Sequence, residues 1–449
     1  MNARLTITLL AALLLVAPGC GKQKLAPTQP VVDSQVSIDR PDLQLDHSRH
    51  HGEAAEVVGR KDGAIYALYR PAQWNGDLVV YVHGYTAPYA PISLPTGDSF
   101  GLLRDRLLER RYAVAVSSWS ENGFAVKDAI KQSNRLPDLF AERLGRPNRV
   151  YLIGVSLGGL ATIALAERDH DDFEYDGALL LSPVAGGSRH EIEYIANVRV
   201  LFDTFYPNKL RGDLLHQPAD LDINRDVIGA AVAAIQADPR GAIAMSQIAQ
   251  TPLPFRDANE LVSSIVQALV YHAVEIGDLL ARTGGESFFE NSQTQYTGGL
   301  PPAVLADVNA RVARHQLSPR AAVFLKKSYE PSGDPEIPVL VLHNAWDPVV
   351  PIFNQNLYRD RVAAHGESRR LVQRVFQRYG HVGFKPEESA AAFDDLTRWV
   401  RKHERPLAVD AALVRQPVAM EGMKQQMRSG VSLQQLEYVT SEARRPSRQ

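Results

Sequence analysis

The stretch Val150-Tyr151-Leu152-Ile153-Gly154-Val155-Ser156-Leu157-Gly158-Gly159 decides the fold prediction for this chain. Its second half fits the pattern G-x-S-x-G, in which a serine occupies a sharp turn between a strand and a helix. An apolar run precedes the turn and a helix-forming segment follows it, as the pattern requires. The glycines leave room for the turn and let the helix pack close to the sheet. Ser156 is therefore a candidate nucleophile, and the alternative is an ordinary serine in a tight turn.

Apolar strands and amphipathic helices alternate on both sides of this motif. Continuous apolar runs are typical of strands that are buried on both faces of a parallel sheet. The predicted strands cover 64–69, 78–82, 112–116, 150–153, 178–181, 339–342 and 371–376. The predicted helices cover 100–110, 126–144 with a break near Pro137, 157–167 and 353–364 between the strands, and 390–402 after the last strand. This order predicts an α/β fold with a doubly wound, mostly parallel central sheet flanked by helices.

One long segment interrupts the alternation. Strand signals fade over 186–335, where 261–281 and 304–312 carry apolar residues at helical spacing. We predict a largely helical cap inserted between two parts of one α/β core. The domain prediction is a first core part at 46–185, the cap at 186–335, a second core part at 336–405 and a C-terminal extension at 406–449.

The N-terminus has the anatomy of an export signal. Arg4 precedes an apolar stretch, 5–17, that is too short to span a bilayer comfortably. We predict a signal peptide at 1–20 and, because of its prolines and polar residues, a flexible tether at 21–45.

The end of this signal resembles the lipobox of bacterial lipoproteins. Gly19 precedes Cys20, the only cysteine in the chain, although Ala17 stands where the family usually has leucine. The resemblance implies that Cys20 is lipidated and that the protein is exported and lipid-anchored in the cell envelope. Gly21, rather than aspartate, implies the outer membrane if the cell is Gram-negative. A plain signal peptide with a chance cysteine is the alternative.

Composition excludes several classes of protein. Of 449 residues, 49 are basic and 51 are acidic. The chain therefore lacks the net positive charge that would indicate nucleic acid as a partner. A single cysteine cannot form an intrachain disulfide. Histidines and carboxylates show no metal-ligand spacing, and no phosphate-binding glycine loop is present. We therefore expect no cofactor and no metal site.

Two further polar residues follow predicted strands at their carboxyl ends. Asp347 follows strand 339–342 and His381 follows strand 371–376, each in a loop that contains glycine or proline. Parallel strands end at the same edge of a sheet, so both residues are expected near Ser156. The order Ser156, Asp347, His381 resembles that of the α/β-hydrolase superfamily, over about 65–403. Asp334 precedes its strand and lies at the wrong end of the sheet.

The resemblance implies a role for each residue. His381 is the expected general base, and Asp347 is expected to orient it. The backbone N–H groups of Tyr85, in the segment His83-Gly84-Tyr85, and of Leu157 are the expected oxyanion hole. His83 precedes the serine, so it is expected to be structural.

The cap and the loop after strand 112–116 are expected to shape the substrate site. Trp119 and Phe124 are candidate substrate-binding residues. The leading hypothesis is a serine hydrolase that acts on a small-molecule carboxylic ester through an acyl-enzyme. The alternatives are a peptidase or amidase of the same fold, which would use the same residues, and a non-catalytic binding lipoprotein.

Overall fold

A computed structural model describes residues 54–95, 98–168, 173–409 and 420–430. The predicted signal peptide with Cys20, the tether at 21–45 and most of the extension at 406–449 lie outside the described residues. The predictions for those segments therefore remain expectations.

The described residues form one eight-stranded sheet. Its strands are β1 (Ala55–Lys61), β2 (Ala64–Arg70), β3 (Asp77–Val82), β4 (Ala113–Ser117), β5 (Arg149–Val155), β6 (Gly177–Leu181), β7 (Val339–Trp346) and β8 (Leu371–Tyr379). They are arranged in the order β1-β2-β4-β3-β5-β6-β7-β8. β2 pairs antiparallel with β1 and β4, and β3 to β8 are parallel. The predicted mostly parallel sheet of the α/β-hydrolase fold is confirmed.

The first strand was missed by the sequence analysis. β1 (Ala55–Lys61) carries three charged side chains and is half exposed along most of its length. It pairs with only one neighbour at the edge of the sheet. Edge strands face water and lack the continuous apolar run that reveals a central strand.

Helices cover both faces of the sheet. One layer contains α1 (Asp98–Glu109) and α12 (Pro386–Lys402); the other contains α2 (Val126–Asn134), α3 (Leu136–Leu144), α4 (Leu157–Ala166) and α11 (Phe353–Ala364). Alternate side chains of β3 enter opposite layers, as the two-residue period of a strand requires: Leu78 and Val80 face α3, and Val79 faces α1. The predicted helix 126–144 is two helices, with Pro137 in the first turn of the second.

The segment between β6 and β7 is helical, as predicted. It contains α5 (Ser188–Phe205), a π-helical turn (Ile223–Gly229), α6 (Ala230–Ala237), α7 (Pro239–Ser246), α8 (Ala258–Thr283), α9 (Pro302–Arg311) and α10 (Pro319–Lys327). Its apolar side chains form one buried cluster that also includes Tyr85, Phe124 and Leu157 of the core. The insertion therefore packs on the serine-bearing edge of the sheet.

The longest helix, α8, is apolar enough to cross a membrane by length and composition alone. However, 67% of its most apolar 18-residue window is buried inside the protein. It is therefore better explained as the central helix of the insertion. A last helix, α13 (Met420–Ser429), buries Met423 and Met427 against the same cluster.

Candidate active site

Ser156 occupies a strained turn between β5 and α4. Its backbone angles, φ 53° and ψ −121°, lie where residues other than glycine are rare. Such a conformation costs about 1–3 kcal/mol and persists only where the surroundings impose it. The Ser156 N–H donates to the Leu181 carbonyl of β6 at 3.0 Å. A Cβ at Gly158 would collide with the His83 carbonyl, so glycine is required for the loop after β3 to reach the turn.

Three predicted side chains form one hydrogen-bonded chain. The Nε2 atom of His381 lies 2.8 Å from Ser156 Oγ, and its Nδ1 atom lies 2.8 Å and 3.0 Å from the two carboxylate oxygens of Asp347. All three residues are buried. A carboxylate only accepts hydrogen bonds, so this network assigns the ring proton to Nδ1 and leaves Nε2 to accept from the serine. The arrangement can transfer a proton from Ser156 to His381.

The Asp347 carboxylate is held by the start of its own loop. One oxygen accepts from the N–H groups of Val349 and Val350, both at 3.0 Å. The neighbouring His343 donates from Nε2 to the Val350 carbonyl at 3.0 Å. Burial lowers the pKa of His343 to about 4, so its ring is neutral near pH 7. His343 thus supports the loop, as the sequence analysis expected.

The loop that carries His381 is clamped by a residue that the sequence analysis missed. Asn344 is buried on β7, and its side-chain amide donates to the carbonyls of Gly380 at 2.8 Å and Val382 at 2.9 Å. These two carbonyls flank His381 in the chain. Val382 has φ 57°, an unusual value for a β-branched residue. The only sequence signal for this clamp is a polar side chain at the end of a buried strand.

The loop His83-Gly84-Tyr85 lies directly beside the serine. A Cβ built at Gly84 would be 3.3 Å from Ser156 Cβ. His83 donates from Nδ1 to the Gly84 carbonyl at 2.8 Å, and burial lowers the pKa of His83 to about 4. Among the hydrogen bonds of the described residues, none uses the N–H of Tyr85 or Leu157 as donor. Both N–H groups are thus available for a substrate oxygen.

The two candidate substrate-binding aromatics lie in different surroundings. Trp119 is buried and stacks on the His83 ring with a centroid distance of 3.8 Å, which places it against the loop. Phe124 lies in the insertion cluster with Tyr85, and its N–H donates to Asp278 of α8 at 2.8 Å. Phe124 is thus in contact with the insertion, whereas Trp119 belongs to the core cluster beneath the sheet. A substrate contact stays a prediction for both.

Two buried acids of the insertion, Glu191 and Glu275, were not predicted from the sequence. Burial, with smaller contributions from Glu275 and Asp347, raises the pKa of the Glu191 carboxyl well above its usual range. Burial, and then the charge of Asp278, raises the pKa of Glu275 to about 8. Both acids fall at positions where an amphipathic helix would carry apolar residues, and that break in the pattern is their only sequence signal. Within the described residues, no group of three or more potential ligands is placed to hold a metal ion.

Comparison with known proteins gives distant similarities. No family model matches the sequence. The chain is 22% identical to the o-phthalyl amidase of Xanthobacter agilis over an alignment of 423 residues, which covers 80% of this chain and 90% of that protein.

Solved structures resemble the protein in part. Lipase A of Candida antarctica in its closed state is 14% identical with a TM-score of 0.43, and the alignment covers 82% of each chain. An esterase of Pyrococcus furiosus is 12% identical with a TM-score of 0.37, covering 79% of this chain and 95% of that one. The acylaminoacyl peptidase of Pyrococcus horikoshii is 10% identical with a TM-score of 0.39, covering 78% and 42%. At these values the likenesses do not distinguish between activities.

Proposed function

We propose that this protein is a serine hydrolase that cleaves carboxylic esters through an acyl-enzyme. The observation that carries the proposal is the continuous chain of hydrogen bonds from Asp347 through His381 to Ser156. The serine lies in a strained turn beside two free backbone N–H groups, those of Tyr85 and Leu157. A nucleophile, a base, a group that orients the base and an oxyanion hole are the parts that acyl transfer requires.

The first half-reaction forms the acyl-enzyme. Ser156 Oγ attacks the ester carbonyl carbon while its proton passes to Nε2 of His381. The carbonyl oxygen becomes an oxyanion, which accepts hydrogen bonds from the N–H groups of Tyr85 and Leu157. The Asp347 carboxylate stabilises the imidazolium. When the carbonyl re-forms, the carbon–oxygen bond to the alcohol breaks, and His381 returns the proton to the departing alkoxide.

The second half-reaction consumes one water. His381 takes a proton from the water, whose oxygen attacks the acyl carbon and again places an oxyanion at the two N–H groups. Collapse of this intermediate breaks the bond to Ser156 Oγ, and the proton on His381 passes to that oxygen. One ester and one water thus yield one acid and one alcohol, and the enzyme returns to its starting state.

Turnover of p-nitrophenyl esters tests the proposal. The rate of hydrolysis of the acetate through octanoate esters is measured for the wild-type protein and for the variants Ser156→Ala and Asp334→Asn. The serine variant is expected to lose turnover, whereas Asp334 lies outside the hydrogen-bonded chain and its variant is expected to retain it. No turnover of any ester by the wild-type protein would contradict the proposal.

Amide hydrolysis is a second candidate, favoured by the distant similarity to a protein named as an amidase. The same three residues would carry it, with His381 protonating a departing amine instead of an alkoxide. An ester and an anilide with the same acyl group separate the two. A higher kcat/KM for the anilide than for the ester would contradict the ester proposal and support amide hydrolysis instead.

Non-catalytic binding is the third alternative. A fluorophosphonate probe is expected to label Ser156 in the wild type and to leave Ser156→Ala unlabelled. An unlabelled, folded wild type would instead favour a binding protein.

We also propose export and lipid anchoring through Cys20, on the resemblance of 1–20 to a lipoprotein signal. Membrane fractionation of cells that express wild type or Cys20→Ala tests this. Wild type is expected in the membrane fraction and the variant in the soluble fraction; equal distribution would contradict anchoring at this residue.

A further inference from the structure

The strands that carry the acid and the base end side by side. Trp346 is the last residue of β7 and Tyr379 is the last residue of β8, and the two are paired across the sheet. Asp347 directly follows the first, and His381 comes two residues after the second. The Gly380 N–H donates to the Trp346 carbonyl at 3.0 Å, which continues the pairing into the His381 loop. A contact that fixes these strand ends therefore also fixes the acid and the base.

The Tyr379 side chain joins the end of β8 to α8 of the insertion. Its hydroxyl donates to the Glu260 carbonyl at 3.2 Å and lies 2.9 Å from Ser264 Oγ. Ser264 donates its own proton to the Pro254 carbonyl at 2.6 Å, so its oxygen is left to accept from the phenol. The phenol proton is thus shared between two acceptors on α8. Both side chains are buried, where water does not replace such a bond.

A second contact joins the same turn of α8 to the end of β7. The guanidinium of Arg256, shortly before α8 begins, lies over the Trp346 ring at 5.1 Å from its centre, a cation–π contact. Arg256 also forms an ion pair with the Glu260 carboxylate. Glu260 therefore contacts both strand ends, through its carbonyl and through its carboxylate partner.

The sheet itself holds the end of β8 only loosely. Pairing between β7 and β8 is regular up to Asn344 and Phe376, and the register then shifts before Trp346 meets Tyr379. A bulge interrupts the ladder of hydrogen bonds, so a strand end beyond it is less constrained by its neighbour. A tether that acts beyond the shift, at Tyr379, therefore has the greater influence on where the His381 loop begins.

We propose, resting on the proposed function, that Tyr379 is a positioning residue for the base. Its hydroxyl, held by Ser264 and Glu260, fixes the strand end from which the His381 loop departs. The insertion thus does more than pack on the edge of the sheet, because α8 determines where the imidazole meets Ser156. A displacement of about 1 Å at a catalytic group can cost about 100-fold in rate, and loosening this tether is expected to cost about tenfold.

Tyr379→Phe tests the tether because it removes the hydroxyl and keeps the ring. Ser264 retains the Pro254 carbonyl as acceptor, and the Glu260 carbonyl retains its bond within the helix, so the variant is expected to fold. The kcat for p-nitrophenyl acetate and the rate of fluorophosphonate labelling are expected to fall about tenfold, with KM little changed. A loss of stability alone would not change the rates of the folded protein. Wild-type rates in folded Tyr379→Phe would overturn the proposal.

A double-mutant cycle assigns the effect to the pair. In Ser264→Ala the phenol keeps the Glu260 carbonyl, so a smaller fall in kcat is expected than in Tyr379→Phe. Because both changes break the same link, adding Ser264→Ala to Tyr379→Phe is expected to cause no further fall. An unchanged kcat in Ser264→Ala, or effects that multiply in the double variant, would overturn the link. Ser264→Ala also measures the link if Tyr379→Phe does not fold.

Tyr206→Phe is the matched control. Tyr206 is a buried tyrosine of the insertion whose hydroxyl donates to the Asp238 carbonyl at 2.8 Å and accepts from the Ala242 N–H at 2.7 Å. Both bonds lie within the insertion, so the variant loosens it without touching the ends of β7 and β8. Its kcat is expected to stay near that of wild type. An equal fall in Tyr206→Phe and Tyr379→Phe would show a general loosening of the insertion and overturn the proposal.

Hydrogen exchange separates this inference from the proposed function, because it requires no reaction at Ser156. The segment 380–384 contains the N–H groups of Gly380 and Val382, which donate to the Trp346 carbonyl and to Ser182 Oγ. Exchange there is expected to be about fivefold faster in Tyr379→Phe, the factor for one lost hydrogen bond, and unchanged in Tyr206→Phe.

The two measurements together decide which idea fails. If wild type cleaves no ester but this segment exchanges faster in Tyr379→Phe alone, the tether stands while the proposed function fails. If wild type cleaves esters and Tyr379→Phe matches it in kcat and in exchange, the tether fails while the proposed function stands.

Discussion

Asn344 offers the sharpest test of how the site is held together. Its amide donates to both carbonyls that flank His381, at 2.8 Å and 2.9 Å. Asn344→Ala removes two hydrogen bonds, each of which contributes about 1 kcal/mol net, so we expect a loss of about 2 kcal/mol in the free energy of unfolding. The larger expected effect is on the rate, because a displacement of about 1 Å at a catalytic group can cost about 100-fold.

A matched control exists in the insertion. Asn291 is equally buried, and its amide donates to the Tyr296 hydroxyl at 3.0 Å and the Ala313 carbonyl at 2.8 Å. Its side-chain oxygen also accepts from the His315 N–H at 2.6 Å. Asn291→Ala should therefore destabilise the protein at least as much as Asn344→Ala, without displacing His381.

The assay measures stability and rate for both variants. Urea denaturation gives the stability; the kcat for p-nitrophenyl acetate and the rate of fluorophosphonate labelling report on the site. We expect both rates to fall about 100-fold in Asn344→Ala, with KM little changed, and to stay near wild type in Asn291→Ala. Equal rates in the two variants, measured on folded protein, would refute a positioning role for Asn344.

Two further predictions concern the nucleophile and a buried acid. Ser156→Ala is expected to abolish turnover and fluorophosphonate labelling while the circular dichroism spectrum stays native; labelling that persists at another residue would contradict the assignment of the nucleophile. Because the pKa of Glu275 is raised to about 8 in the folded protein from 4.5, its contribution to stability is present in full below about pH 4.5 and is lost as the pH rises towards 8. Glu275→Gln should therefore flatten the fall in unfolding free energy between about pH 5 and pH 8, by at most about 1.4 kcal/mol per pH unit; identical slopes in variant and wild type would contradict the burial of an uncharged Glu275.

The sequence alone determined the class of fold and the candidate residues of the site. Central strands such as β3 and β5 are buried on both faces, so they must be apolar throughout, and that pattern is visible without a structure. The serine turn was equally visible, because its geometry admits only small residues around Ser156. The edge strand β1 was not visible in the sequence, because a half-exposed strand does not require a continuous apolar run.

Only the tertiary structure decided which distant groups meet. Ser156 and His381 are separated by 225 positions, and their hydrogen bond depends on how the parallel strands align at one edge of the sheet. The clamp from Asn344 and the unpaired oxygen of Glu275 depend on the same closure of the chain. Sequence periodicity records how each residue is buried within its own helix or strand. It carries no record of the partner that a buried polar atom finds, or lacks, across the interface with another element.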